Sequence, residues 1–265
     1  MKTYGRPRLI TEEDKRYRSY TEQFTLARKN QKAIRPPRQR DLFGGQAEAA
    51  LRQWLGERIE LDERRILEYE ERRNRRGFIK YRELDALTVE RRHVHVFEIK
   101  TSRTASALRR AVGQLQETRA ILRLLYPSVT ITILLVDTGI PASVEVIEAM
   151  MSSDRPPPRR PELLSEVLAA VPTLRLVESL EEARADDETI AVLRFSVETI
   201  IAIAGAENLA LAWDADDEEP EEPEEPRPTS SLYATSGDDD AQGAADGDDD
   251  DDNPLAAALR KAGLK

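Results

Sequence analysis

The chain has no cysteine among its 265 residues. Disulfide frameworks, thiolate zinc sites and thiol nucleophiles are therefore excluded, and the composition fits a reducing compartment. Histidine is confined to His93 and His95, and aromatics make up only 5% of the chain. Long apolar runs are missing as well. The most apolar segment, Thr189–Ala204, carries Arg194 and Glu198 and falls short of the roughly 20 residues that a membrane-spanning helix needs. The N-terminal "MKTYGRPRLITEEDKRYRSY" is basic but has no apolar core, so it does not read as a secretory signal. The expectation is a soluble, cytoplasmic protein with no membrane partner.

What the chain does have is charge, unevenly placed. The net charge is −10. Residues 1–40 hold 12 basic and 4 acidic side chains and residues 41–137 hold 18 and 15, whereas residues 138–212 hold 6 and 13 and residues 213–265 hold 4 and 18. The front half is thus basic, the electrostatic footprint of a polyanion binder, and the acidic tail conceals it in the overall balance. An Arg-rich, Glu-rich solubilising surface accounts for the same counts equally well.

The pattern predicts five segments. Residues 1–40 read as a basic N-terminal arm with scattered aromatics (Tyr4, Tyr17, Tyr20, Phe24) and room for one helix, joined to the core by a hinge at the helix-breaking Pro36 and Pro37. Residues 41–137 read as an α/β core. Within it "GGQAEAALRQWLGERI" predicts a helix of about 13 residues, with Ala47, Leu51, Trp54 and Leu55 at helical spacing. Residues 65–71, 80–90 and 92–101 are strand candidates. "TASALRRAVGQLQETRAILRLLYP" predicts a long helix burying Leu108, Ala111, Leu115, Leu122 and Leu125, and "VTITILLVD" a strand buried on both faces. Residues 138–213 read as a mostly helical extension packed on this core, with 188–204 as a helix and "TLRLVESL" as an edge strand. Residues 214–252 are too acidic and too poor in apolar side chains to fold alone, and 253–265, "NPLAAALRKAGLK", form a short helical tip suited to a protein partner.

One stretch carries candidate chemistry: "ELDALTVERRHVHVFEIKTS", residues 83–102. Strand alternation puts Glu98 and Lys100 on one face with Val94 and Val96, and His93, His95, Phe97 and Ile99 on the other. An acid and a base buried without partners cost several kcal/mol each, so they call for a counter-ion or a polar ligand. A hairpin centred near residues 90 and 91 sets Asp85 opposite a residue near 96, and a shift of one or two positions sets it beside Glu98. Asp85 and Glu98 beside Lys100 then form a Mg²⁺ site flanked by a cation. Glu48 shares a helical stripe with Leu51 and Leu55 and should face inward, where it wants a metal or a proton. Gln114 lies beside Ala111, Thr118, Ile121 and Leu125 and is the glutamine expected to look into the site. Arg103, Arg109 and Arg110 stand where they could track phosphates. The histidine pair lies on the opposite face from Glu98, which removes it from the site.

The helix "GGQAE", then "ELDAL", then "FEIK", then a glutamine on the next helix, in the order helix, three strands, helix, strand, resembles the PD-(D/E)XK nuclease superfamily over about residues 41–137. The resemblance implies a restriction-endonuclease-like core, a mixed sheet flanked by helices. It also implies a nuclease that hydrolyses phosphodiester bonds of nucleic acid, DNA ahead of RNA, with Mg²⁺ or Mn²⁺ as cofactor, in repair, processing or phage defence. By position, Asp85 and Glu98 are implied metal ligands with the Ile99 carbonyl, and Glu48 is a ligand directly or through water. Lys100 is implied to orient or activate the attacking water and Gln114 to assist positioning. Leu84 stands where the motif usually has proline. The alternative is a non-catalytic nucleic-acid-binding adaptor that recruits a partner through its acidic tail and tip; a homodimer is compatible with either. A coil as long as 214–252 spans roughly 30–40 Å, enough for it to compete with phosphates for the basic front.

Overall fold

The apolar run "VTITILLV" sits at the centre of the structure, where a strand hydrogen-bonded on both edges and covered on both faces has no use for polar alternation. The computed structural model describes residues 2–29, 39–73, 76–101, 104–153, 157 and 159–211. The chain divides into residues 1–235 and 236–265, and every described residue belongs to the first. In chain order the strands are β1 (Thr3–Ile10), β2 (Ile66–Arg73), β3 (Arg76–Glu83), β4 (Ala86–Glu90), β5 (His93–Lys100), β6 (Ser128–Val136), β7 (Leu174–Val177) and β8 (Ile190–Phe195). The helices are α1 (Lys15–Lys29), α2 (Gln39–Gly56), α3 (Ala105–Leu122), α4 (Val144–Met151), α5 (Leu164–Ala170), α6 (Leu180–Ala183) and α7 (Val197–Ala204).

Five strands form a mixed sheet in the order β4-β5-β6-β8-β7, antiparallel between β4 and β5 and parallel elsewhere. Alternation along β6 sends Ile131, Ile133 and Leu135 to one face and Leu134 and Val136 to the other. On the first face they join Val94, Val96, Leu108, Val112 and Leu115, so α3 covers it. On the second they join Ala47, Leu51, Leu55, Phe97, Ile99 and Ile200, so α2 and α7 cover that. The result is an α/β fold with its sheet between helical layers. No helix among the described residues is long and apolar enough to cross a membrane.

Several expectations need correction. Residues 80–90 are not one strand. The chain leaves β3 at Glu83, buries Leu84, and enters β4 at Ala86, so β3 belongs to an antiparallel three-stranded sheet, β1-β2-β3, and β4 to the mixed sheet. Four strands therefore stand between α2 and α3. The described part of residues 1–40 is not an arm, because β1 pairs with β2 and points Leu9 into the main core and Ile10 into a separate cluster with Tyr17, Ile66 and Tyr81. The segment 188–204 is a strand followed by a helix. Ser196 interrupts it as an N-cap, its hydroxyl accepting from the Thr199 amide at 3.2 Å. Residues 138–213 accordingly supply two strands of the mixed sheet rather than helical padding, with β7 at the expected edge. Finally, α2 starts at Gln39, ahead of the glycine pair. Gly44 is useful inside the helix, since a Cβ there would meet the Thr101 hydroxyl at 3.0 Å, and its absence lets α2 approach the end of β5. Leu125 lies past the end of α3 and is exposed. Pro36, Pro37, Arg103, the acidic segment 214–252 and the tip 253–265 lie outside the described residues.

Candidate active site

The β4–β5 hairpin turns through Arg91 and Arg92, with Arg91 in the left-handed region at φ 54°. Its register pairs Glu90 with His93 and ends at Ala86 with Phe97. Asp85 stands in a bend one step before β4, at the position that the same register, continued, would set opposite Glu98. The centre of the hairpin therefore falls one residue beyond the position expected from sequence, and that offset supplies the shift the site requires.

Burial separates the two faces of β5 as alternation predicts: Val94 and Val96 pack under α3, Phe97 and Ile99 under α2. Glu98 and Lys100 thus follow Val94 and Val96 on the α3 side, and the Lys100 Nζ lies 2.5 Å from Glu98 Oε1 with both side chains largely shielded from solvent. Asp85 is 5% exposed, and its Oδ2 accepts the Ile99 amide at 2.7 Å. In a strand the N–H and C=O of one residue point to the same edge, so the Ile99 carbonyl faces the edge that Asp85 occupies. Helix α2 closes the arrangement. Arg52 donates through Nε to the Asp85 carbonyl at 2.8 Å and through Nη2 to Glu48 Oε1 at 3.0 Å.

These groups share one electrostatic field. Burial pushes the Asp85 carboxyl well above the usual carboxylate range, and repulsion from Glu98 and Glu48 adds to it against the pull of Lys100 and the Ile99 amide. Burial also raises Glu48, a shift that Arg52 and Lys100 moderate and that Glu83 and Glu98 reinforce. For Lys100, burial works against the ammonium, but Glu98, Asp85 and Glu48 outweigh it and the group is held above its ordinary value. Three carboxylates, Asp85, Glu98 and Glu48, thus stand with two cations, Lys100 and Arg52, a balance that a bound cation would offset. Among the described residues, no group of three or more His, Asp or Glu side chains is gathered as a ready-made metal cage.

The other expected residues fare unevenly. Gln114 is half-buried, but it is its main-chain carbonyl that is engaged, accepting from Arg82 Nη1 at 2.8 Å and the Thr118 hydroxyl at 2.9 Å. Among the described residues its side chain makes no hydrogen bond with Asp85, Glu98, Lys100 or Glu48. Arg82 also reaches Thr118 Oγ1 at 2.6 Å and pairs with Glu117, and Tyr69, Glu117 and, least, Glu98 hold it cationic against burial. Arg109 is paired with Glu162, and Arg110 is exposed on the same helix. His93 and His95 lie away from the carboxylates as expected, bonded through Nε2 to Thr130 and Thr132 on β6 at 2.7 Å each.

Two residues beside the carboxylates escaped the sequence reading. Arg52 carried a signal, because it stands four residues after Glu48 at the spacing of a helical ion pair. Arg82 carried none, since only the packing of β3 against α3 brings it near Glu98. Comparisons with protein-family models, with curated proteins and with solved structures gave no match in any of the three.

Proposed function

We propose that the chain is a divalent-metal-dependent nuclease of the PD-(D/E)XK type, its restriction-endonuclease-like core made of α2, β4, β5, α3 and β6 and its substrate nucleic acid, DNA ahead of RNA. The observation that carries this reading is the end of the β4–β5 hairpin, where buried Asp85 accepts the Ile99 amide at 2.7 Å and Lys100 pairs with Glu98 on the same strand. The donor set suits Mg²⁺ or Mn²⁺. Magnesium is commonly held by one or two carboxylates together with waters and substrate phosphates rather than by an all-protein cage, so two facing carboxylates suffice. Asp85 and Glu98 would hold the ion, with the Ile99 carbonyl on the same edge and Glu48 held close by Arg52. When bound, the ion polarises the phosphoryl group and makes a bound water more acidic.

The remaining chemistry belongs to the side chains. Lys100, held cationic by its acidic neighbours, is a poor proton acceptor at neutral pH, and its role is to hydrogen-bond the attacking water and neutralise charge building on the phosphate. Asp85, buried and tied to the Ile99 amide, is fixed in one orientation. Arg52 sets the distance between α2 and the hairpin and keeps Glu48 beside them.

The test is incubation of the full chain with single-stranded DNA, duplex DNA and RNA in Mg²⁺ or Mn²⁺, comparing it with Asp85→Ala and Lys100→Ala variants whose folding is checked by circular dichroism. The expected outcome is metal-dependent cleavage that falls by at least about 100-fold in each variant, the scale on which single charge-stabilising groups act. Cleavage that survives both substitutions overturns the site assignment. Absence of cleavage on every substrate leaves the nucleic-acid-binding adaptor as the reading.

A further inference from the structure

Away from the carboxylates, α1 and β3 enclose an open groove of about 440 Å³ lined by Lys15, Arg16, Tyr20, Ile79 and Tyr81. Its floor is aromatic, with the Tyr20 and Tyr81 rings 4.9 Å apart and tilted by 43°. Its rim carries Ile79, which is 50% exposed although it stands on a strand. Lys15 and Arg16 are exposed and, among the described residues, have no ion-pair partner. The neighbouring arginines are occupied: Arg8 is paired with Glu68 at 2.6 Å, and Arg18 lies 3.9 Å from Glu13. The two cations stand in the first turn of α1, where the helix dipole disfavours positive charge and where Asp14 is engaged in capping the Arg16 and Tyr17 amides.

We propose that this groove binds a single-stranded stretch of nucleic acid, with Lys15 and Arg16 on phosphates and an unstacked base against Tyr20 and Ile79. Free cations beside an aromatic and apolar platform are the combination that single strands require, whereas a duplex keeps its base faces stacked and offers the platform nothing. The groove also lies on the strand whose chain leads to Asp85. Ile79, Tyr81 and Glu83 alternate onto one face of β3, whose chain then passes through Leu84 to Asp85. Ile79 and Asp85 are six residues apart, a separation of at most about 21 Å, within reach of a short oligonucleotide. In calling this strand the nuclease's substrate, the inference rests on the function proposed above; the binding itself does not.

The experiment measures fluorescence anisotropy of a labelled oligo-dT and of a labelled duplex in EDTA, where no cleavage occurs, with the full chain and two variants. Lys15→Gln/Arg16→Gln is expected to weaken oligo-dT binding roughly tenfold and to reduce the slope of log affinity against log salt by about 1.4, the value for two single-strand phosphates. Ile79→Asp, at an exposed position that leaves the core intact, is expected to weaken oligo-dT binding several-fold and duplex binding less. An unchanged affinity and salt slope in the double variant overturns the groove, as does an equal loss for oligo-dT and duplex in Ile79→Asp. The readout separates the two proposals. Cleavage lost in Asp85→Ala with an inert groove variant removes the groove alone, and binding lost in the groove variant with no cleavage by the full chain removes the nuclease alone.

Discussion

Asp85 is costly to keep. Its carboxyl is buried among Glu98 and Glu48, so its proton is held above the ordinary carboxylate range in the folded chain. The unfolded chain releases that proton near pH 4. Between that point and the folded value, the folded state binds more protons than the unfolded one, so stability falls as pH rises through the window. An Asp85→Asn variant keeps an oxygen for the Ile99 amide and removes the charge. It should melt higher than the parent at pH 7.5 and close to it at pH 4, a difference readable by thermal denaturation because 1 kcal/mol moves a domain of this size by about 2–4 °C. If the two proteins melt together at both pH values, Asp85 is not under the strain described. Magnesium should raise the melting temperature of the parent and not that of Asp85→Asn.

His95 behaves in the opposite sense. It is 0% exposed, bonded to Thr132, and burial pushes its imidazole down to about 3, with Arg184 and His93 adding to the effect. Between pH 6.5 and 3 the unfolded chain takes up a proton that the folded chain refuses, so stability is lost as pH falls through that window. A His95→Gln variant should lose less stability than the parent between pH 7 and pH 5 in urea titrations. An identical pH dependence in the two would show that the imidazole is not protected as its surroundings require.

At the scale of elements, the hairpin register and the position of α2 matter more than any single side chain. A slip of one residue in β4 would send Asp85 to the face of Phe97 and Ile99 and dismantle the pair with Glu98. Helix α2 is pressed onto β5 by the fully buried Ala47, Leu51 and Leu55, and Gly44 permits its close approach to Thr101. Gly44→Val should therefore lower the metal response and the cleavage rate while leaving most of the fold, measured as a reduced magnesium-induced shift in melting temperature with near-parental circular dichroism. Leu51→Ala should cost about 2–5 kcal/mol of global stability, since the removed atoms leave a void between α2 and the sheet. A parental magnesium shift in Gly44→Val would separate α2 from the site.

For the whole molecule, the distribution of charge is the consequential feature. The basic front and the acidic tail belong to one chain, and residues 213–265 hold 18 acidic against 4 basic side chains. Removal of residues 214–265 should raise affinity for nucleic acid at low salt, with the gain shrinking as screening rises toward about 0.15 M and beyond. Superimposable binding curves for the full and shortened chains across salt concentrations would show that the tail does not compete with phosphates.

Local pattern was enough for some of this. Alternation along β5 settled that Glu98 and Lys100 share a face and that the histidines take the other, and helical spacing settled that Leu51 and Leu55 point inward with Glu48 beside them. These are short-range consequences of backbone geometry, periods of 2 and 3.6 residues that any folded context preserves. Long-range pairing was a different matter. That residues 80–90 break at Leu84 and part into two sheets, that 3–10 is a strand, that 188–204 divides at Ser196 into strand and helix, and that Arg82 rather than Gln114 lies toward Glu98 all depend on partners distant in sequence. Hydrophobic periodicity records that a segment is buried and says nothing of what covers it. The chain alone thus determined which residues had to be chemically paired, and only the tertiary structure, through the register of one hairpin and the approach of one helix, decided with whom.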